Sequence, residues 1–167
     1  TEDRILQDVD TKIGAEIFWK IDSGKQLNIA INPDFGQVES DELVVNFTAN
    51  ETFYSDKRPF FSENHSLFNV KGYEFFYVIN TRRIGAAPDY DCSKFSENLQ
   101  DACSSSKLGT SDIDLAARYT QQGEAFDFGV LAASEADQDF SQGRDFFALR
   151  GRKTGNDYSL GYLGTYV

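Results

Sequence analysis

Alternation of apolar and polar residues at every second position is the feature that most constrains this chain. Between residues 11 and 21, the odd-numbered positions from 13 onward are Ile, Ala, Ile, Trp and Ile, whereas the even-numbered ones are mostly polar or glycine. A period of two predicts a β-strand, whose side chains point alternately to two faces. The turn signal Asp22-Ser23-Gly24-Lys25 then leads into a second alternating stretch at 26–31. We therefore predict an antiparallel hairpin.

The same alternation dominates the last third of the chain. We predict strands over residues 112–120, 125–133, 144–153 and 158–167, and shorter ones over 67–70 and 73–80. Short turns and longer loops alternate between them, as in neighbouring antiparallel strands. The fold class predicted is all-β, with antiparallel up-and-down strands that form a barrel or a barrel-like fragment of a sheet. At 167 residues, the chain is expected to be a single domain over 1–167.

The two faces of the predicted strands differ in chemistry. Glycine and charged residues mark one face, and aromatic and aliphatic residues mark the other. A membrane β-barrel wall has this pattern, with its apolar face toward lipid. A soluble sandwich or small barrel has it too, with one face in a core and the other in water. Periodicity alone leaves both classes open.

Residues 32–64 interrupt the strand pattern, and we predict an irregular insertion there. The stretch holds two of the three prolines, an acidic run and a basic pair. Proline has no amide hydrogen to donate to a sheet. The residues predicted to form structural ion pairs are Lys57, Arg58, Asp41 and Glu51. The ligand-binding candidates are Arg82, Arg83, Glu39 and Glu63. Arg82 and Arg83 are adjacent at a predicted strand end, so their side chains should point to opposite faces.

Residues 86–106 read as a long polar loop that contains both cysteines, Cys92 and Cys103. A disulfide between them fits an oxidising compartment, and two reduced thiols are the other interpretation. A zinc site needs about four ligands, and the single histidine, His65, is distant in sequence. We expect no metal and no other cofactor.

Charge and composition limit the kinds of partner that this chain is expected to bind. The formal net charge is −11, which disfavours nucleic acid because phosphate binding depends on Lys and Arg. No apolar run reaches the roughly 20 residues that a membrane helix needs. The chain has no methionine, so we expect an excised or processed piece of a longer protein.

Five separated motifs resemble a single family. They are Asn32-Pro33-Asp34-Phe35-Gly36-Gln37-Val38-Glu39, Val45-Asn46-Phe47-Thr48, Glu51-Thr52-Phe53, Lys57-Arg58-Pro59-Phe60-Phe61 and Thr81-Arg82-Arg83-Ile84-Gly85. Their order is similar to that in an uncharacterised family of bacterial outer-membrane β-barrel proteins, usually found downstream of a carbohydrate-binding domain resembling family-9 modules. The resemblance covers about residues 10–167 and is densest over 32–85. Ser62 and Thr81 replace an aliphatic residue and a serine in the family pattern.

The resemblance implies a location in the bacterial cell envelope, at the outer membrane or its periplasmic face. It implies that the strands belong to a barrel and that the motif region is an inner feature. It assigns no reaction. A glycan or small molecule is the expected ligand, the outer membrane is an expected partner of the full-length protein, and open sheet edges could pair in a homo-oligomer.

Motifs for catalysis are missing from the sequence. There is no G-x-S-x-G, no H-E-x-x-H and no P-loop. A carboxylate pair for glycoside hydrolysis is compatible with any acidic chain and is not specifically indicated. We favour a non-enzymatic envelope component that binds or passes a ligand. The alternatives are a soluble β domain of a carbohydrate-active hydrolase and a purely structural or assembly element.

Overall fold

The computed structural model describes residues 13–33, 56–63, 65–68, 70, 79–87, 90–106 and 110–167. Strands β1 (Ala15–Lys20) and β2 (Lys25–Ile31) come first. Two single-turn helices, α1 (Pro59–Ser62) and α2 (His65–Phe68), follow, and α3 (Glu97–Ser106) precedes the remaining strands. These are β3 (Ile113–Gln121), β4 (Phe126–Glu135), β5 (Asp145–Thr154) and β6 (Ser159–Tyr166).

The six strands form one antiparallel sheet in sequence order, from β1 to β6. The predicted all-β, up-and-down fold is therefore confirmed, and within the described residues the sheet is open and does not close into a barrel. Registers are continuous across the strands: Asn28 lies opposite Arg118, which lies opposite Leu131, which lies opposite Ala148. A bulge between Ile113 and Leu115 brings Ile113 to the face that carries Ala116.

One face of the sheet, here called the covered face, carries the charged and polar side chains. Residues paired across the strands share a face. The buried polar members of this face are Asn28, Arg118, Thr120, Asp127 and Glu135. Small and apolar residues such as Ala30, Ala116, Leu131 and Ala148 lie between them.

The opposite face, here called the open face, is apolar and uncovered among the described residues. Its exposed or half-buried members are Ile17, Trp19, Leu27, Ile29, Ile31, Leu115, Ala117, Tyr119, Phe128, Val130, Ala132, Phe147, Leu149, Leu160, Tyr162 and Tyr166. Polar residues on this face occur only near strand ends, as at Lys25, Gln121 and Lys153. A sheet in a soluble protein has the reverse arrangement, with apolar residues packed and polar ones in water.

A covering segment, residues 56–63 and 65–68, lies on the covered face. Phe60, Phe61, Leu67 and Phe68 are buried there and join the sheet residues Ala30, Ala116 and Leu131 in one core. Helix α2 approaches β4 closely at Gly129. A methyl group at that position would lie 2.7 Å from side-chain carbons of both Leu67 and Phe68. The absent side chain at Gly129 therefore makes room for α2.

The connections at the two ends of the sheet differ in length. Residues 21–24, 122–125 and 155–158 form short turns at one end, whereas 32–112 and 136–144 are the connections at the other. The long-connection end carries a disulfide between Cys92 and Cys103, which ties a 3-10 turn at Cys92–Lys94 to α3. Phe95 packs edge-on against Phe140 with 5.3 Å between ring centroids, so the disulfide-linked segment 92–106 also contacts connection 136–144.

Three local predictions were wrong. Residues 65–68 form α2 rather than part of a strand over 67–70. Arg82 and Arg83 belong to a 3-10 turn, Thr81–Arg83, rather than a strand end. The predicted loop over 86–106 contains α3 and the 3-10 turn at the first cysteine. Most of the strand predicted over 73–80, and most of the predicted insertion at 32–64, lie outside the described residues.

Candidate functional site

The centre of the covered face is Arg118, in the middle of β3. Its residue is 2% exposed. The guanidinium Nη1 donates to the backbone carbonyls of Phe60 and Glu63, and Nη2 donates to the Glu63 carboxylate at 3.2 Å. The guanidinium carbon also lies 5.4 Å from the centre of the Phe60 ring. One arginine of the sheet thus holds both the backbone and the side chain of the covering segment.

Glu63 collects donors from three residues on two strands. Its Oε2 accepts from Gln26 Nε2 at 3.1 Å and from Asn28 Nδ2 at 3.0 Å, in addition to Arg118. Gln26 also donates to Asn28 Oδ1 at 2.9 Å. Burial lowers the pKa of Arg118, and the charge of Glu63 and its hydrogen bond act in the opposite direction. The carboxylate therefore compensates a guanidinium that has lost its water.

A second buried arginine, Arg58, ties two of the sequence motifs together. It pairs with Asp56 through Nε at 2.9 Å and Nη2 at 2.7 Å, and both side chains are buried. Its remaining donors reach the carbonyl of Ile84 at 2.6 Å and that of Thr81 at 2.8 Å. The guanidinium also lies over the Phe61 ring, 4.3 Å from its centre. The Lys57-Arg58-Pro59 motif and the Thr81–Gly85 motif are thus joined by charge-assisted hydrogen bonds.

Gly85 completes this connection to the sheet. Its φ of 75° is in the left-handed region, where glycine carries no steric penalty. In this conformation, its amide donates to Glu135 Oε1 at 2.8 Å. Glu135 in turn accepts from Arg144 at 3.0 Å. The last residue of the Thr81–Gly85 motif is therefore hydrogen-bonded to a buried carboxylate of β4.

Two further arginines lie on the covered face of β5. Arg152 pairs with Asp127, with Nε at 2.7 Å from the carboxylate. Arg150 donates to the carbonyls of Leu67 at 3.3 Å and Tyr162 at 3.0 Å. Burial, followed by the neighbouring charge of Arg152, lowers the pKa of Arg150. These contacts attach α2 and β6 to the polar side chains of the covered face.

A cleft of about 470 Å³ opens between β1, β2 and α1. Its polar lining comes from Glu16, Asn28, Ser62 and Glu63, and its aromatic lining comes from Phe18 and Phe60. Glu63, whose side chain is 44% exposed, carries the carboxylate that pairs with Arg118 and also lines the cleft.

Among the predicted ligand residues that the structure describes, Glu63 is separated from Arg83. Glu63 lines the cleft, whereas Arg83 lines a different groove, beside β6. Arg82 is half-buried, Lys57 is exposed, and Glu39, Asp41 and Glu51 lie outside the described residues. Arg58 pairs with Asp56, which was not among the candidates, and the partner of Glu63 is Arg118.

The sequence did not identify several central residues of the site, among them Arg118, Asn28 and Asp127. A charged residue in the middle of a strand, on the face opposite an apolar row, was the available signal for Arg118. Most donors and acceptors of the buried charged residues on the covered face are paired with one another, whereas Arg118 Nε has no hydrogen-bond partner among the described residues. No group of three or more His, Cys, Asp or Glu that could hold a metal occurs in the part of the chain that the structure describes. The arrangement is suited to bracing a segment against a sheet.

These features define the class: an all-β protein whose described strands form one open sheet, with a motif-bearing segment held on its charged face. A family model described as "Domain of unknown function (DUF5916)" matches residues 2–111, and the chain belongs to that family. The match includes β1, β2 and all five motifs and ends before β3, whereas the motif resemblance was expected to extend to residue 167. No curated protein and no solved structure matches the chain.

Proposed function

We propose that this chain is a non-enzymatic component of the bacterial cell envelope, whose sheet contacts the acyl chains of the outer membrane through its open face. The observation that supports this proposal is the polarity of the sheet. Arg118, Asp127 and Glu135 are buried on the covered face, whereas large apolar side chains on the other face are exposed. In water, such a continuous exposed apolar surface would be unfavourable. Against lipid, it is the expected arrangement.

Aromatic residues near the short-turn end support the same proposal. Trp19, Tyr119, Phe128 and Tyr162 all lie on the open face, close to the ends of strands that meet at these turns. Tyr119 and Phe128 are in contact, with 6.4 Å between ring centroids. Tryptophan and tyrosine concentrate at membrane–water interfaces, where their rings contact lipid and their polar atoms contact water. Lys25, Gln121 and Lys153 lie beyond or beside them, in the direction of the headgroups.

The difference between the two ends fits as well. Membrane sheets of this type have short turns on one side of the bilayer and longer loops on the other, which matches the connections described above. Within the described residues, no helix has the length and apolar character needed to span a membrane.

The covered face would then face an aqueous interior, and the covering segment would brace it. Ligand binding or passage would be a role of this side. The cleft beside Glu63 is within the roughly 300–1,000 Å³ that small-molecule sites occupy. Compared with a soluble hydrolase domain, the envelope component is favoured because a soluble sheet packs its apolar face.

The single tryptophan provides the test. Trp19 is 57% exposed on the open face, near the end of β1. In vesicles, we expect brominated acyl chains to quench its fluorescence, most strongly when the bromine is near the headgroup, and aqueous acrylamide to quench it weakly.

A matched control moves the fluorophore. In the double variant Trp19→Phe/Phe140→Trp, the indole would lie in connection 136–144, and brominated lipid should leave it unquenched. If Trp19 in the unmodified chain were quenched by acrylamide and not by brominated lipid, the proposed membrane contact would be wrong.

A further inference from the structure

The cleft between β1, β2 and α1 has a lining of one charge sign. Among its described lining residues, two carry a carboxylate, Glu16 and Glu63, and none is Lys, Arg or His. The remaining members are aromatic, aliphatic or uncharged polar residues. Because the chain as a whole has a net charge of −11, the surrounding field also attracts positively charged solutes toward this cleft.

The carboxylate of Glu63 is only half used by the fold. Its Oε2 accepts hydrogen bonds from Gln26, Asn28 and Arg118, as described above. Its Oε1 accepts none from the described residues, and the side chain is 44% exposed. The three donors fix the position of the carboxylate, so that Oε1 is held in place as an acceptor beside the cleft.

Strand β1 adds a second carboxylate and an aromatic ring to the same cleft. Glu16 and Phe18 are two residues apart on the covered face, which puts their Cα atoms about 7 Å apart. Phe18 lies opposite Asn28, the residue that donates to Glu63, and is 57% exposed. Glu16 is also exposed and makes no ion pair with any described residue. The cleft therefore joins an accessible ring to two carboxylates with unused acceptors.

We propose that this cleft binds a small organic cation, whose primary ammonium group donates to Glu16 and Glu63 and whose apolar part lies against Phe18. An ammonium group has three donors and no acceptor, which matches carboxylate oxygens, and an aromatic face attracts a nearby cation. This inference deepens the proposed function, on which it rests for the assignment of ligand binding to the covered face, because it names the chemical class of the ligand.

Other ligand classes match the lining less well. A calcium ion takes six to eight oxygen ligands, whereas the described lining has two carboxylates and the described residues contain no group of three or more that could hold a metal. A neutral sugar would compensate no charge. The amide of Asn28 is already engaged, because Nδ2 donates to Glu63 and Oδ1 accepts from Gln26. The acceptors that remain on the two carboxylates favour a ligand with donors and a positive charge.

Benzylammonium and its neutral analogue benzyl alcohol test the charge preference. Both are titrated at neutral pH into the full chain in a non-ionic detergent, and binding is followed by ligand-observed NMR. We expect benzylammonium to bind with a dissociation constant at least tenfold lower than that of the alcohol, because hydrogen bonds to a charged partner are the stronger ones. Equal dissociation constants would overturn the proposal, and so would binding of a neutral disaccharide or of Ca²⁺ without binding of benzylammonium.

Glu16→Gln tests the site without disturbing the ion pair between Glu63 and Arg118. Glu16 is exposed and unpaired among the described residues, so the fold should tolerate this change. We expect it to raise the dissociation constant of benzylammonium about fivefold. Glu124→Gln is the matched control, since it removes the same charge from an exposed turn outside the cleft lining, and it should leave the constant unchanged. Equal constants for the two variants would overturn the assignment of Glu16 to the site.

A third variant tests the aromatic contact. Phe18→Leu keeps an apolar side chain at the position but removes the ring face, so we expect it to raise the dissociation constant of benzylammonium about threefold. Unchanged binding would show that the cation does not lie against Phe18.

Trp19 quenching separates this proposal from the membrane contact. Quenching by brominated lipid without binding of benzylammonium would remove the cation site and leave the membrane contact intact. Binding of benzylammonium that depends on Glu16, without quenching of Trp19 by lipid, would support the cation site and remove the membrane contact.

Discussion

Arg118 shows how a single residue can determine which face of a strand is covered. Its neighbours Ala117 and Tyr119 are the more apolar residues, yet they point to the open face, and Arg118 is almost completely buried. A buried guanidinium is tolerated only when its donors are satisfied. Two carbonyls and one carboxylate of the covering segment provide most of this satisfaction, although Arg118 Nε has no hydrogen-bond partner among the described residues.

Removing this arginine should therefore destabilise the fold substantially. We expect Arg118→Leu to lower the free energy of unfolding by about 3 kcal/mol, the lower end for a broken buried pair, because Glu63 remains in partial contact with water. The measurement is a urea titration followed by Trp19 fluorescence. Lys25→Met removes an exposed pair with Asp22, 3.1 Å apart, and should leave the titration midpoint unchanged. Equal midpoints for the two variants would contradict the role given to Arg118.

At the scale of elements, α2 and β4 show that a close approach can depend on one missing side chain. Gly129 faces Leu67 and Phe68, both buried, so neither can move far to admit a methyl group. Gly151 also lies in a strand, and a methyl group there would meet nothing within 4 Å. The two glycines make a matched pair.

Gly129→Ala should displace α2 and lower the free energy of unfolding by about 1–3 kcal/mol, the usual cost of overpacking. Gly151→Ala should be neutral or slightly stabilising, because alanine loses less backbone entropy than glycine on folding. Thermal unfolding of both variants, with limited proteolysis after Phe68, reads out the docking of α2. Faster proteolysis of the Gly151 variant than of the Gly129 variant would contradict this assignment.

The elements that the sequence predicted well are those that depend only on residues close together in the chain. Strands β1 to β6 follow from a period of two and from short turn signals, and each was found close to its predicted position. The short helices were not predicted from the sequence, because His65–Phe68 and Cys92–Lys94 contain too few residues to show a helical period. α3 was missed because its sequence, ENLQDACSSS, is almost wholly polar and has no clear apolar stripe.

The site was less predictable, since its contacts join residues far apart in sequence. The motifs drew attention to Arg58 and Glu63, but their partners depend on the register of other elements. Arg118 reaches Glu63 only because β2 and β3 are paired under α1. Asp56 was overlooked although it is two residues from Arg58, because an acidic residue beside a basic pair reads equally well as a solvated turn.

At the scale of the whole molecule, the apolar open face limits the surroundings in which the sheet can be stable, and this limit is not apparent from any single residue. Ala117 lies near its centre, between Ile29 and Ala132 in neighbouring strands. If the face contacts lipid, an arginine there should reduce insertion sharply, by about 2–4 kcal/mol near the bilayer midplane. We expect Ala117→Arg to lower the fraction of the chain that floats with vesicles in a density gradient.

The matched change is Leu99→Arg, which adds the same charge to an exposed position on α3. Its flotation should equal that of the unmodified chain. If Ala117→Arg floated as well as Leu99→Arg, the centre of the open face would not be in the hydrocarbon region.

The long connection between β2 and β3 also determines the order in which the sheet can assemble. Strands β3 to β6 are adjacent in sequence, so their pairing closes only short loops and loses little chain entropy. Pairing of β2 with β3 must close residues 32–112, and contacts this distant in sequence form slowly. The four-strand meander is therefore the expected nucleus, and the β1–β2 hairpin joins it late. Because Glu63 takes its donors from both β2 and β3, the covering segment can reach its final contacts only after that last pairing. Between these two events, the charged residues of the meander would remain in contact with water.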